Sequence, residues 1–150
     1  MYKHILVPLD GSELAEAVLP HVRSLSGCTG AEIALLRVLV YPVYEFMAAD
    51  PNVALYTLTD SSELEAQANT YLNQVARSLQ EDGLNVTASV RGGLVADTIL
   101  DYAQEVQADL IAMSTHGRGG LARWVIGSVA DRIVQAAKVP VLLVRPPRGH

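Results

Sequence analysis

Five short aliphatic runs, separated by segments with helical spacing, constrain this chain more than any other feature of its sequence. The runs are Ile5–Leu9, Ala31–Val40, Val86–Val90, Leu110–Met113 and Val139–Val144. Several are continuous rather than alternating, as strands buried on both faces of a sheet are. After the first run, Ser12-Glu13-Leu14 opens a segment whose apolar face is Leu14, Ala17, Val18, His21, Val22 and Leu25. A second helical segment runs from about Ser61 to Glu81, with Leu64, Ala68, Leu72, Val75 and Leu79 spaced by threes and fours. Gly83 follows it and can supply the left-handed residue that ends a helix. The third segment holds Ala96, Ile99, Leu100, Ala103 and Val106. The fourth holds Ile126, Val129, Ala130, Ile133 and Ala137, and stops before Pro140.

Strands and helices therefore alternate from end to end. Such alternation predicts an α/β domain with a parallel sheet and right-handed crossovers. Scarce aromatics and abundant Val, Leu, Ile and Ala suit that architecture better than a sandwich with aromatic cross-strand pairs. The 150 residues suit one domain, 1–150, with neither an internal repeat nor a linker. Tyr41–Asp60 breaks the rhythm: with Pro42, Pro51 and several aromatics it reads as a long loop. Loops of that length are lids, interface elements or segments without fixed structure.

Charge and cysteine content narrow the partners. The formal net charge is −5, with no broad basic surface of the kind duplex nucleic acid requires, so nucleic acid is not expected. Arg118, Arg123, Arg132, Lys138, Arg145 and Arg148 cluster weakly late in the chain, a patch that fits a small anion. No apolar run reaches the roughly 18 residues of a membrane span, so no membrane role is expected. The apolar Ile5-Leu6-Val7 is broken at once by Pro8 and Asp10, too soon for a signal peptide. Cys28 is the only cysteine, and a reducing, cytoplasmic location is expected.

Chemistry concentrates after the fourth run, in Ser114-Thr115-His116-Gly117-Arg118-Gly119-Gly120 and, further on, Gly127-Ser128-Val129. Glycines let backbone N–H groups approach a ligand closely, and the helix start that follows adds unpaired donors and a partial positive charge. Ligands of doubly wound sheets sit beyond the carboxyl ends of strands where the strand order reverses. Pro8-Leu9-Asp10-Gly11-Ser12, at the end of the first run, would share that place. The sequence matches neither a P-loop, since no lysine lies here, nor the dinucleotide fingerprint, since Ala122 stands where its last glycine is needed. On glycine content alone a phosphate cradle and an ordinary glycine-rich turn both remain open.

Gly117, nine residues, then Gly127-Ser128 resembles the ATP-binding motif of the universal stress protein family: Gly, two residues, Gly, nine residues, Gly-Ser/Thr. Ile5-Leu6-Val7-Pro8-Leu9-Asp10-Gly11-Ser12, Leu35-Leu36-Arg37-Val38, Ser128-Val129-Ala130-Asp131-Arg132 and Val139-Pro140-Val141-Leu142-Leu143-Val144 are similar to other segments of that family, so the likeness covers essentially the whole chain. The motif's first glycine falls on Ser114, whose side chain can crowd a sugar or bond to it.

The resemblance implies a doubly wound five-stranded parallel sheet, strand order 3-2-1-4-5, flanked by four helices, adenine-nucleotide-hydrolase-like and flavodoxin-like. It implies that Pro8, Leu9 and Asp10 border the nucleoside and that Val38 meets the adenine edge through its backbone. Ser114, His116, Gly117, Arg118, Gly119 and Gly120 would wrap the ribose and phosphates, and Gly127, Ser128 and Val129 would close over the phosphates. ATP, or AMP or ADP, would be the ligand, with Mg²⁺ carried largely by phosphate and water. Asp10 can equally be a turn or cap residue, His116 a loop-shaping one, and Arg118 a solvated one. No nucleophile turn and no cluster of metal ligands stands out, which fits a nucleotide-dependent stress-response regulator or sensor better than a fast enzyme. A nucleotide-independent interaction protein and a slow ATPase are the alternatives. The apolar last strand, Val139–Val144, would lie at a sheet edge, and the resemblance implies a homodimer through it.

Overall fold

The computed structural model describes residues 1–40, 51–116 and 126–147, and for 51–60 the backbone alone. Among the described residues nine strands and α-helices alternate along the chain. They are β1 (His4–Pro8), α1 (Leu19–Thr29), β2 (Glu32–Leu39), α2 (Pro51–Glu81), β3 (Val86–Gly92), α3 (Val95–Glu105), β4 (Leu110–Ser114), α4 (Ser128–Ala136) and β5 (Val141–Val144). A short 3₁₀ turn, Ala15–Val18, leads into α1. The α-helix proper starts beside Pro20, whose missing N–H costs nothing in a first turn.

The strands form one five-stranded sheet in the order β3-β2-β1-β4-β5, and every neighbouring pair is parallel. Strand order and helix number are as the resemblance implies. Parallel strands need crossovers over a face, so both faces are covered and the continuous aliphatic runs are explained. In β1, Ile5 and Val7 point into the layer under α1 and α2, with Leu19, Val22, Leu72, Val75 and Leu79. Leu6 points into the layer under α3 and α4, with Ile99, Ala103, Ala130 and Ile133. All five residues of β4 are buried, as befits a central strand.

Helix ends follow the sequence signals, with one correction. Gly83 adopts φ 81° after α2, the left-handed ending expected of it. The start of α2, however, lies at Pro51, ten residues before Ser61. The second half of the loop expected over 41–60 is therefore helical, and residues 41–50 lie outside the described residues. Proline is favourable in the first turn of a helix and punctuates only its interior. Pro51 thus marks a beginning, where it was read as a break. At 31 residues, about 46 Å, α2 is much longer than the eight residues of β2, about 26 Å. Among its described side chains, 61–81, the buried positions begin at Ala68.

Candidate functional site

The order β3-β2-β1-β4-β5 reverses between β1 and β4, and there the two strands part early. Their register consists of Ile5↔Leu110 and Leu6↔Ile111, whereas β1 stays paired with β2 through Pro8↔Leu36. Backbone alternation explains the difference. The Leu9 N–H donates to the Leu36 carbonyl at 2.8 Å, so residue 8 turns its backbone the other way, toward β4. Pro8 has no N–H to give, and the β1–β4 ladder stops. The ladder thus ends at the switch point, where doubly wound sheets have a crevice outside the carboxyl ends of their strands.

On the β1 side the chain closes a tight turn. Asp10 Oδ1 accepts hydrogen bonds from the Ser12 N–H at 2.9 Å and from the Ser12 hydroxyl at 2.5 Å. Ser12 Oγ in turn accepts from the Ala15 N–H at 3.2 Å, opening the 3₁₀ turn. Asp10 thus has the turn-forming role weighed for it from sequence. On β2, Glu32 donates its N–H to Lys3 O and Leu36 accepts from Leu9, while Ile33 and Leu39 bond toward β3. Even-numbered residues therefore face β1, and the peptide edge of Val38 faces the space where β1 pairing has ended. Its N–H and C=O present one donor and one acceptor side by side, the arrangement expected of a residue that reads a purine edge.

On the β4 side, Ser114 is buried at the strand's end, and its Oγ receives the His116 N–H over a long 3.4 Å. Thr115 extends the β4–β5 ladder to Val144 O at 2.9 Å. Its own carbonyl accepts the Gly127 N–H at 2.9 Å, which ties the start of α4 to the exit of β4. A Cβ on Gly127 would lie 2.9 Å from that same carbonyl oxygen. Glycine is needed at 127 for this backbone-to-backbone approach, whatever a ligand requires. Gly127 caps α4 without a side-chain hydrogen bond, so the N–H groups of Ser128 and Val129 open the helix with no side-chain acceptor. Ser128 is exposed and Val129 half-buried. His116 lies near Gly127: its Nδ1 is 3.0 Å from Thr115 Oγ1, and its buried Nε2 has no hydrogen-bond partner among the described residues.

Pro8, Leu9, Asp10 and Val38 thus gather on one side of the cleft, and Ser114, His116, Gly127, Ser128 and Val129 on the other. Gly117, Arg118, Gly119 and Gly120 lie outside the described residues. Two further residues escaped the sequence reading. Arg37, the one cation within the aliphatic run of β2, donates from Nη1 to Val38 O at 3.1 Å. Tyr71, on the buried stripe of α2 between Ala68 and Val75, buries its hydroxyl without a hydrogen-bond partner. Burial first, then the negative charges of Glu16 and Asp10, push the Tyr71 hydroxyl well above the usual tyrosine range, against a smaller opposing pull from Arg37. Glu16 faces that hydroxyl short of full hydrogen-bond geometry. Both residues were legible in principle: a lone cation in a buried strand and a phenol on an apolar helix face each ask for a partner. Among the described residues, no group of three or more His, Cys, Asp or Glu is placed to hold a metal, and no helix is long and apolar enough to cross a membrane.

Comparison with known proteins places this geometry in context. The model of the universal stress protein family matches residues 1–145. Universal stress protein MJ0531 of Methanocaldococcus jannaschii is 30% identical over 148 residues, covering 99% of this chain and 85% of the relative. The solved structure of MJ0577, a universal stress protein from the same organism, superposes with a TM-score of 0.87 at 28% identity, covering 99% of both chains. More distant structures share the fold. One is a universal stress protein in complex with cAMP, with a TM-score of 0.67, 18% identity and coverage of 97% of this chain and 98% of that one. Another is a family protein from Arabidopsis thaliana with AMP bound, with a TM-score of 0.68, 19% identity and coverage of 97% and 92%.

Two measurements test the local physics. Gly127→Ala is expected to destabilise the fold by about 1–3 kcal/mol through its clash with the Thr115 carbonyl. Gly27→Ala, inside α1 with nothing within 4 Å, is expected to stabilise by about 0.5–1 kcal/mol; urea denaturation of both variants reads the contrast. Tyr71 ionises later in the folded than in the unfolded chain, so the unfolded state binds fewer protons above its ordinary pKa of 10.0. Stability should therefore be fully present below about pH 10 and decline as pH rises further. Tyr71→Phe should flatten that alkaline decline in a pH series of denaturation curves, and an unchanged slope would refute the assignment.

Proposed function

Because the chain belongs to the universal stress protein family, we propose that it binds an adenine nucleotide, ATP foremost, in the cleft between β1 and β4. The observation that carries this reading is the β4–α4 junction. There an uncapped helix start and the buried, unpartnered Nε2 of His116 stand together beyond the end of the sheet. Backbone donors at a helix N-terminus suit phosphate, and a fixed imidazole nitrogen can donate to a phosphate oxygen. Thr115 would orient that ring through Nδ1. Val38 would pair with the base through its peptide edge, Pro8 and Leu9 would flank the nucleoside, and Asp10 would stand near the ribose. AMP and cAMP bound to the related structures support an adenine nucleotide as the ligand class.

Gly117–Gly120 would complete the phosphate cradle on the family motif. Mg²⁺ would travel with the triphosphate, held by phosphate oxygens and water. Such a site holds a nucleotide firmly and suits a regulator or sensor in a stress response, acting in the cytoplasm, whose interactions follow occupancy. Slow hydrolysis remains compatible with it. The use of Asp10 and Ser114 within the chain's own turns favours a different function, a nucleotide-independent interaction protein.

Ser128→Glu separates the two functions. A carboxylate at the first position of α4 favours the helix yet repels phosphate from its N–H groups. The variant should keep the parent's stability and lose AMP and ATP affinity at least tenfold by calorimetry. Equal affinity, or no binding by the parent at millimolar nucleotide, would sink the nucleotide reading. We also assign a homodimer to the outer edge of β5, where the apolar strand within Val139–Val144 ends the sheet. Light scattering at micromolar concentration should return the mass of two chains, and the mass of one would refute it.

A further inference from the structure

Arg37 bears on which base the cleft selects. A purine is read at its six-position and the adjacent ring nitrogen. Adenine offers a 6-amino donor beside an acceptor, and hypoxanthine or guanine offers a 6-oxo acceptor beside a donor. The Val38 peptide edge, one N–H and one C=O, can satisfy either pattern by a small shift of the base, so it does not choose between them. Arg37 alters that balance. Its Nη1 donates to the Val38 carbonyl at 3.1 Å, which places a permanent cation on the acceptor that a 6-amino group would use. The negative charges of Asp10 and Glu16 lie in the same neighbourhood, since both act on Tyr71 together with Arg37. Those charges favour keeping the guanidinium at the head of the cleft. A planar fork of five donors can hold protein acceptors and a base oxygen together.

We propose that Arg37 is a specificity-determining residue that opens the Val38 edge to 6-oxopurine nucleotides, so that this chain binds nucleotides of hypoxanthine or guanine comparably with those of adenine. The proposal rests on the nucleotide reading above. AMP and IMP, which differ only at the six-position and its neighbouring ring nitrogen, are the probes. The full chain is expected to bind both with dissociation constants within about threefold of each other by calorimetry. Arg37→Met should shift the ratio at least tenfold toward AMP, chiefly by weakening IMP. Arg37→Lys, which restores a cation with donors, should recover part of the IMP affinity, a response that a merely structural role would not produce. Arg37→Gln serves in place of the methionine variant should that one fail to fold, with the same expected direction. A parent that rejects IMP, or an AMP-to-IMP ratio that Arg37→Met and Arg37→Gln leave unchanged while AMP still binds, overturns the role of Arg37 alone. Absence of binding of either nucleotide by the parent overturns the nucleotide reading and this proposal with it.

Discussion

The missing N–H of Pro8 is the constraint on which the rest of the site depends. Every other position along the centre of a parallel sheet is held by ladder bonds on both sides, and strands so held leave no room between them. At residue 8 the backbone faces β4 with nothing to donate, and the β1–β4 register ends at Leu6↔Ile111. The β1–β2 ladder is untouched, because Leu9 faces β2 and keeps its N–H. β1 is therefore held by one neighbour and released by the other. On its other edge β4 stays paired with β5 as far as Ser114, and Thr115 then bonds to Val144 O and accepts from Gly127 at the start of α4. Topology reverses the strand order at this point, and one imino acid ends the ladder there.

How far such a site can be read from sequence depends on whether side chains or backbones make it. The sheet was legible because burial on both faces leaves a plain mark, the continuous aliphatic run. Strand order needed the family likeness, since nothing in Val139–Val144 alone says that it lies beside β4. Asp10 was legible as a residue with two possible roles, and only its bonds to Ser12 show that it holds the turn. Gly127 was legible as a place of close approach, but the nearest atom is the chain's own Thr115 carbonyl. The start of α2 was misjudged because Pro51 carries opposite meanings at a helix start and in a helix interior. Tyr71 was not legible because it meets Glu16 and Asp10 only through the fold, whereas Arg37 has Val38 beside it on the same strand and only the direction of its side chain was hidden.

Those two residues, with His116, also show what the site costs. A buried polar atom without a partner forfeits about 1–3 kcal/mol. Among the described residues there are two such atoms, Tyr71 Oη and His116 Nε2. The Tyr71 hydroxyl is in the neighbourhood of Asp10 and Arg37, and His116 lies near Gly127 at the start of α4, while the layers beneath β1 and β4 are mostly aliphatic. Cost is thus concentrated at the carboxyl end of the sheet, the end at which doubly wound folds take ligands. A fold with two well-filled layers can sustain it there.

The character of the converging groups then argues for holding over turnover. Catalysis of phosphoryl transfer depends on charge stabilisation that grows as the reaction proceeds, together with a positioned nucleophile. What the described residues bring together is different in kind: helix N–H groups, a peptide edge, a ring nitrogen fixed by Thr115, and a carboxylate engaged in its own turn. On the proposed reading each would recognise a ground-state nucleotide about as well as a reacting one, and uniform binding of that sort raises affinity without raising rate. Arg37 belongs to the same class, since a cation at the base end acts far from any phosphate being transferred. On the proposed nucleotide reading, occupancy, and the choice of base that would set it, is the variable such a cleft controls.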